Sequence, residues 1–312
     1  MTNQMKPPLI IILGPTAVGK TSVSIELAQR FDGEIVSADS RLLYRGMDIG
    51  TAKPTLEERQ DIPHHLIDVT DPDESWSLGV YQREAYRVID DIHLRGKLPF
   101  LVGGTGQYIR SIIEGWQIPE LQPDFMMREA LEQWADRIGA DGLHDRLSLL
   151  DPEAGSQIEP RNLRRTVRAF EVILKTGKRF SELRRKQVCR YAVYIVGIQR
   201  PREELYARVD LRIEKMLKSG LDNEVRKLMN LGYSPELPAM SAIGYREIIQ
   251  YFQGDITYEE AVALIKRNTR IFVRRQANWF KKNDPRITWF MADNEMARIM
   301  VERIRRWLGD LS

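Results

Sequence analysis

Leu9-Ile10-Ile11-Ile12-Leu13-Gly14-Pro15-Thr16-Ala17-Val18-Gly19-Lys20-Thr21 is the stretch that decides the fold of this chain. Five apolar residues closed by a glycine mark a strand buried on both faces, the kind a parallel sheet holds at its centre. Residues 21–31 then change to helical periodicity. Between the two, Gly14 through Thr21 fits GxxxxGK[ST] without a mismatch, in the strand-to-helix setting where that pattern is a phosphate-binding loop. Backbone N–H groups across Thr16, Ala17, Val18 and Gly19 and the helix N-terminus make an anion cradle. Lys20 neutralises phosphate charge, and the Thr21 hydroxyl can ligate Mg²⁺. The loop implies a pyrophosphate or nucleotide ligand without specifying ATP.

Beyond this unit, residues 34–37, 100–102, 191–198 and 287–291 are further strands, each entering or leaving a helical stretch. That alternation predicts an α/β fold with a P-loop NTPase-like parallel sheet flanked by helices. A chain of 312 residues exceeds one ordinary core, so an insertion or added domain is expected. Residues 119–190 change to Arg-, Leu- and Glu-rich helical segments, broken at 139–142, at Asp151-Pro152 and at Gly177. The expected division is 1–118 as the first part of the P-loop core, 119–190 as an all-helical insertion domain, and 191–312 as core completion. The last part includes helices over about 202–231, 242–252 and 257–282.

Composition narrows the chemistry. The apolar run from Leu9 stops at Gly14, too short for export or for a membrane span, so a cytoplasmic protein with no membrane association is expected. Cys189 is the single cysteine, and the four histidines show no zinc-finger spacing, so any metal should be oxygen-bound. The net charge is only +3, yet 161–190 carries a local balance of +9 and 261–283 one of +7, leaving an acidic remainder. Two basic segments on an acidic body favour a polyanionic partner such as nucleic acid over two merely solvated helix faces. In the first segment Arg161, Arg164, Arg165 and Arg168 form a dense stripe, to which Arg128 adds. In the second, Arg267, Arg270, Arg274 and Lys281 fall on one helical face, with Trp279 and Phe280 near its end.

A second constellation follows the second strand. Ser37-Ala38-Asp39-Ser40 puts a carboxylate at a strand's C-terminal end, facing the crevice where α/β sheets bind ligands. Val102-Gly103-Gly104-Thr105-Gly106 is the next such edge, its glycines permitting close backbone approach and its Thr105 offering a hydroxyl. Both edges should converge on the phosphate loop. Each residue has a plainer alternative. Asp39 could be a helix N-cap, Thr105 a turn residue, and Arg208 and Arg212 exposed partners of Asp210 or Glu204. His64 and His65, expected in a loop, are read as structural, and Cys189 as inert.

Here the sequence resembles the tRNA dimethylallyltransferase (tRNA isopentenyltransferase) family. Seven ordered motifs carry the resemblance: the loop GPTAVGKT, the SADS and YRGMDIGTAKP stretch over 37–54, PHHLID at 63–68, VGGTG at 102–106, RVDLR at 208–212, MSAIGYR at 240–246 and RRQANWF at 274–280. The C-terminal zinc finger of eukaryotic relatives is missing, so the resemblance is to the bacterial type. It implies transfer of a dimethylallyl group from dimethylallyl pyrophosphate to N6 of the adenine 3′-adjacent to the anticodon. Asp39 would take the N6 proton, and Lys20, Thr105 and the loop residues Gly14, Pro15, Thr16, Ala17, Val18, Gly19 and Thr21 would hold the pyrophosphate. Mg²⁺ would sit on Thr21, and one of Arg208 and Arg212 would reach the leaving group. Asp39, Ser40, Arg41 and Leu42 would touch the tRNA anticodon stem-loop, with Ser241, Gly244, Tyr245, Arg246, Arg274, Arg275, Gln276, Trp279 and Lys281. Arg128, Arg164, Arg165 and Arg168 would extend that surface from the insertion. A monomer is expected. The competing readings are an ATP-dependent P-loop small-molecule kinase, which leaves the basic segments unexplained, and a nucleotide-switched RNA-binding protein, which gives no reason for Asp39 and Thr105 at neighbouring strand ends.

Overall fold

The computed structural model describes residues 6–118, 121, 123–182 and 187–311. Strands β1 (Pro8–Leu13), β2 (Gly33–Ala38), β3 (His64–His65), β4 (Leu98–Gly103), β5 (Ala192–Gln199) and β6 (Ile287–Met291) form one sheet in the order β3-β2-β4-β1-β5-β6. Every pairing is parallel. β1 is therefore an interior strand with ladder partners on both edges, which explains why Ile10, Ile11 and Ile12 are wholly buried. The expected α/β architecture is the observed one. His64 and His65, expected in a loop, instead extend the sheet by pairing with Ile35 and Val36. Two residues are too few to show a period, and backbone pairing alone makes this strand.

Helices α1 (Lys20–Arg30), α2 (Leu56–Arg59), α3 (Leu78–Leu94) and α4 (Gly106–Ile113) precede a run of four, α5 (Phe125–Ile138), α6 (Ala140–Leu150), α7 (Pro152–Gln157) and α8 (Leu163–Thr176). Then come α9 (Arg202–Lys218), α10 (Leu221–Asn230), α11 (Tyr245–Gln253), α12 (Tyr258–Ala277) and α13 (Met296–Leu311). By compactness the chain divides into one unit of residues 1–77, 81–113 and 190–312 and a second of 78–80 and 114–189. The second has its own apolar core, including Leu131, Leu143, Leu147, Val167 and Phe170. Inside it Glu171 is fully buried, accepting from Asp124 N–H at 2.7 Å and pairing with Arg128 at 2.8 Å and Arg168 at 2.5 Å. Breaks in this unit fall where backbone chemistry puts them. Asp151 caps α7 through Ala154 N–H, and Gly177 ends α8 with a φ of 66°.

Sheet register positions the site. Leu13 lies beside Gly103, and Gly103 beside Ala38, so β1, β4 and β2 end level. The loops that leave them, at 14–19, 104–105 and 39–42, consequently share one rim of the sheet. α12 starts with a capping box between Thr257 and Glu260 and carries Glu259 and Glu260 in its first turn and Arg274 and Arg275 in its last. That arrangement suits the helix dipole.

Candidate active site

The phosphate loop is curled by two residues with left-handed backbone, Ala17 at φ 65° and Gly19 at φ 110°. Such an alternation turns successive N–H groups inward into an anion nest. Ala17 has a side chain, so its conformation costs about 1–3 kcal/mol and must be held by its surroundings. Arg208 Nε donates to Ala17 O at 2.9 Å and Arg200 Nε to Val18 O at 3.0 Å, clamping the outer carbonyls. Lys20 Nζ donates to Gly14 O at 3.0 Å and Pro15 O at 2.9 Å. Burial pulls the Lys20 ammonium down to about 8, opposed by the field of Asp39 and assisted by Arg212.

Asp39 follows the last residue of β2, and no helix begins there, which removes the helix-cap alternative. Its Oδ1 accepts from Arg41 N–H at 2.9 Å, closing a side-chain turn that fixes the carboxylate. Its Oδ2 takes part in no hydrogen bond among the described residues. Thr105 stitches the neighbouring edge to this one, donating its N–H to Ala38 O at 3.1 Å and accepting Ser40 N–H on Oγ1 at 3.1 Å.

A cavity of about 370 Å³ opens at this rim. Lys20, Thr21, Asp39, Ser40, Arg41, Leu42, Arg212, Ser241 and Gly244 are among its walls. Thr105 and Arg208 are not. Arg212 is the member of the arginine pair that faces the cavity. It donates to Thr51 O at 3.2 Å, and its buried Nε has no partner among the described residues. Burial lowers its pKa, while Asp39 and Glu58 pull the other way. The alternative ion pairs do not form, because Asp210 pairs with Arg270 and Glu204 with Arg200. A buried guanidinium with no carboxylate bonded to it, beside a lysine in an anion nest, is a site built for a multiply charged anion.

Part of the lining is apolar, formed by Ile67, Val209, Ile213, Met216, Ile265 and Phe272 with others. Sequence reasoning missed it. Positions 209, 213 and 216 have the spacing of an ordinary core face on α9, and nothing in that spacing separates a wall that meets a ligand from one that meets a helix. His64 also lines the cavity; its Nδ1 donates to Ile62 O at 2.8 Å, and burial lowers its pKa, keeping the ring neutral. Two further residues shape the loop at 48–53. The Glu224 carboxylate accepts from Asp48 N–H at 2.9 Å, Ile49 N–H at 2.8 Å and Gly50 N–H at 3.1 Å. The ammonium of Lys53 is bonded to Tyr44 O at 2.8 Å, to Asp48 at 2.6 Å and to Asp68.

Several residues expected on the RNA surface are placed otherwise. Tyr245 is fully buried, and its hydroxyl donates at 2.5 Å to Glu224, the carboxylate that holds the 48–50 backbone, so it braces that loop instead of facing RNA. Gln276 is only 8% exposed, its amide spent on the backbone of two active-site loops. Arg128 and Arg168 give charge to Glu171. Lys281 lies beyond α12, which ends at Ala277 instead of running to 282, so it leaves the face of Arg267, Arg270 and Arg274. Arg270 is itself committed to Asp210. Arg164, Arg274 and Arg275 remain exposed, as does Ser241, while Arg246 pairs with the buried Glu247 at 2.7 Å. Arg41 Nη1 donates to Pro238 O at 2.8 Å, joining the 39–42 and 238–241 loops, both of which contribute to the cavity lining.

A parallel sheet with a phosphate loop on an interior strand, a strand-end carboxylate and apolar residues lining the same cavity fits a P-loop transferase, and the comparisons place it in the isopentenyl-transfer class. Residues 42–283 match the family described as IPP transferase, and residues 7–74 match the one described as Isopentenyl transferase. The chain belongs to the IPP transferase family. It is 50% identical to a tRNA dimethylallyltransferase of Roseiflexus sp. over 96% of this chain and 99% of that one. With the tRNA dimethylallyltransferase of Thermomicrobium roseum it shares 45% identity over 98% and 94%. Among solved structures, the full-length tRNA isopentenylpyrophosphate transferase of Bacillus halodurans superposes with a TM-score of 0.72 at 40% identity, covering 98% of this chain and 97% of that one. A eukaryotic dimethylallyltransferase acting on tRNA superposes with a TM-score of 0.83 at 27% identity, covering 97% and 80%. No helix among the described residues is long and apolar enough to cross a membrane.

Proposed function

We propose that this chain transfers the dimethylallyl group of dimethylallyl pyrophosphate to N6 of the adenine 3′-adjacent to the anticodon of a tRNA, releasing pyrophosphate. The observation that carries the reading is one cavity holding an anion nest with Lys20 and Arg212, a carboxylate with an unoccupied oxygen, and an apolar wall. N6 is a poor nucleophile because its lone pair is delocalised into the purine ring. As the bond from the donor's C1 to N6 forms and the C1–O bond breaks, Asp39 Oδ2 takes the N6 proton and the pyrophosphate leaves with the electron pair. Proton acceptance of this kind contributes roughly 10²- to 10⁴-fold in rate. The loop amides, Lys20 and Arg212 meet the growing negative charge. The apolar wall receives the five-carbon group and keeps water from the allylic carbon.

The Thr21 hydroxyl together with diphosphate oxygens and water is the all-oxygen set that Mg²⁺ takes, and no cluster of three His, Cys, Asp or Glu side chains suited to another metal occurs among the described residues. Bound there, Mg²⁺ adds positive charge at the leaving group. Thr105 supports the site by fixing Ser40 and hence the Asp39 turn. Adenine must leave its stack to reach Asp39. The exposed cations Arg274 and Arg275 and the stripe around Arg164 and Arg165 are suited to hold the phosphate backbone of the anticodon stem-loop while it does so. We take the enzyme to act as a cytoplasmic monomer.

Incubation with Mg²⁺, dimethylallyl pyrophosphate and unmodified tRNA, followed by mass analysis of nucleosides, tests this reading. The expected product is an adenosine carrying one added five-carbon unit. ATP consumption with no such product would replace the proposal with a kinase.

A further inference from the structure

Segment 274–281 touches both the phosphate loop and the Gly104–Thr105 loop. Gln276 Oε1 accepts Thr16 N–H of the phosphate loop at 2.8 Å, and Nε2 donates to Gly104 O at 3.3 Å. A Cβ on Gly104 would lie 2.4 Å from Gln276 Nε2, and one on Gly106 would lie 2.1 Å from Trp279 Cγ. These two glycines therefore make room for the segment. Arg110 fastens its far end, donating to Trp279 O at 2.9 Å with its guanidinium 5.7 Å from the indole. One and two residues before Gln276, the exposed Arg275 and Arg274 form no ion pair among the described residues.

We propose that Gln276 and Trp279 form a latch through which RNA gripped by the outward cations fixes the phosphate loop and the Thr105 loop, so that RNA binding tightens binding of the donor's diphosphate. The inference rests on reading 274–281 as an RNA grip. The loop needs such support because Ala17 is held in a left-handed conformation, and Thr16, whose N–H the latch holds, precedes it directly. RNA that immobilises the end of α12 removes part of the ordering cost the diphosphate would otherwise meet. By linkage, diphosphate must raise RNA affinity by the same factor. Gln276 is accordingly a positioning residue, with no contact to the reacting atoms.

The test is calorimetric binding of inorganic pyrophosphate with Mg²⁺, with and without saturating unmodified tRNA. In the unaltered enzyme tRNA should tighten pyrophosphate binding by about fivefold or more, the usual lower range of such coupling. Gln276→Ala should bring the ratio to about one. Gln276→Glu keeps an acceptor for Thr16 N–H but sets a carboxylate oxygen against Gly104 O, so it should lower the ratio in part while the fold is kept. Loss of thermal stability with an unchanged ratio in both variants, or a ratio of one in the unaltered enzyme, overturns the latch. Arg274→Ala with Arg275→Ala should weaken RNA binding and, because RNA no longer grips the latch, bring the ratio toward one even at saturating RNA. Unchanged RNA affinity in that double variant would overturn the RNA-grip reading instead.

Discussion

Asp39 and Lys20 face one cavity with opposite charges, and their environments fit the opposite roles proposed for them. The carboxylate is held by one oxygen and has no hydrogen bond on the other among the described residues, so replacing it removes the proposed proton acceptor while the backbone of the cradle keeps its own hydrogen bonds. Asp39→Ala should lower kcat by about 10²- to 10⁴-fold with tRNA affinity nearly unchanged, measured by single-turnover kinetics and filter binding. Equal loss in both quantities would show that Asp39 holds RNA instead. Lys20 supplies a pH signature. Because burial has pulled it down to about 8, it loses its proton as pH rises through that value, and the cradle loses a positive charge. The KM for the donor should be flat below pH 8 and climb roughly tenfold per unit above it, since each unit past a pKa lowers the protonated fraction tenfold. A flat profile to pH 10 would mean that Lys20 does not bind the donor as an ammonium. The positions of Asp39 and Lys20 at the cavity were legible in the sequence because they follow from local context, a strand end and a loop pattern. The bracing contacts of Gln276, which was expected on the RNA, and of Glu224 were not, since their partners lie 260 and about 175 residues away and only the fold brings them together.

At the scale of the element, α12 joins an acidic first turn to a basic last turn, and the expectation of a single basic face from 267 to 281 was too simple. Helical spacing predicts a stripe only while the helix lasts. This one stops at Ala277, and one of its arginines is neutralised by Asp210, a partner that spacing cannot reveal. The exposed cations it leaves for the proposed RNA grip are Arg267 and, in its last turn, the pair Arg274 and Arg275. Changing both to Ala should reduce the slope of log Kd for tRNA against log salt by roughly 1.4 to 1.8, at about 0.7–0.9 for each phosphate no longer neutralised. An unaltered slope would place the RNA elsewhere. On the sheet, the strands that carry the loops were readable as short apolar runs, whereas β3, two residues held by backbone bonds to β2, left no pattern to read.

The molecule as a whole combines the parallel sheet with a helical unit that has its own core and its own buried carboxylate. Glu171→Ala would leave Arg128, Arg168 and Asp124 N–H without their acceptor, at a cost of about 1–3 kcal/mol. Hydrogen exchange should show faster opening across 124–176, while pyrophosphate affinity, measured without RNA, stays as it was. Loss of pyrophosphate binding in that variant would mean that the two units unfold as one. The place of β1 in the sheet carries a consequence for biosynthesis. One edge of β1 is completed by β4 once residue 103 has been made, but the other waits for β5 at 192–199. Until then a nascent chain carries a bare, strongly apolar strand edge next to its phosphate loop, open to pairing with another ribosome's product. Translation that stalls within the intervening helices should leave an aggregation-prone fragment.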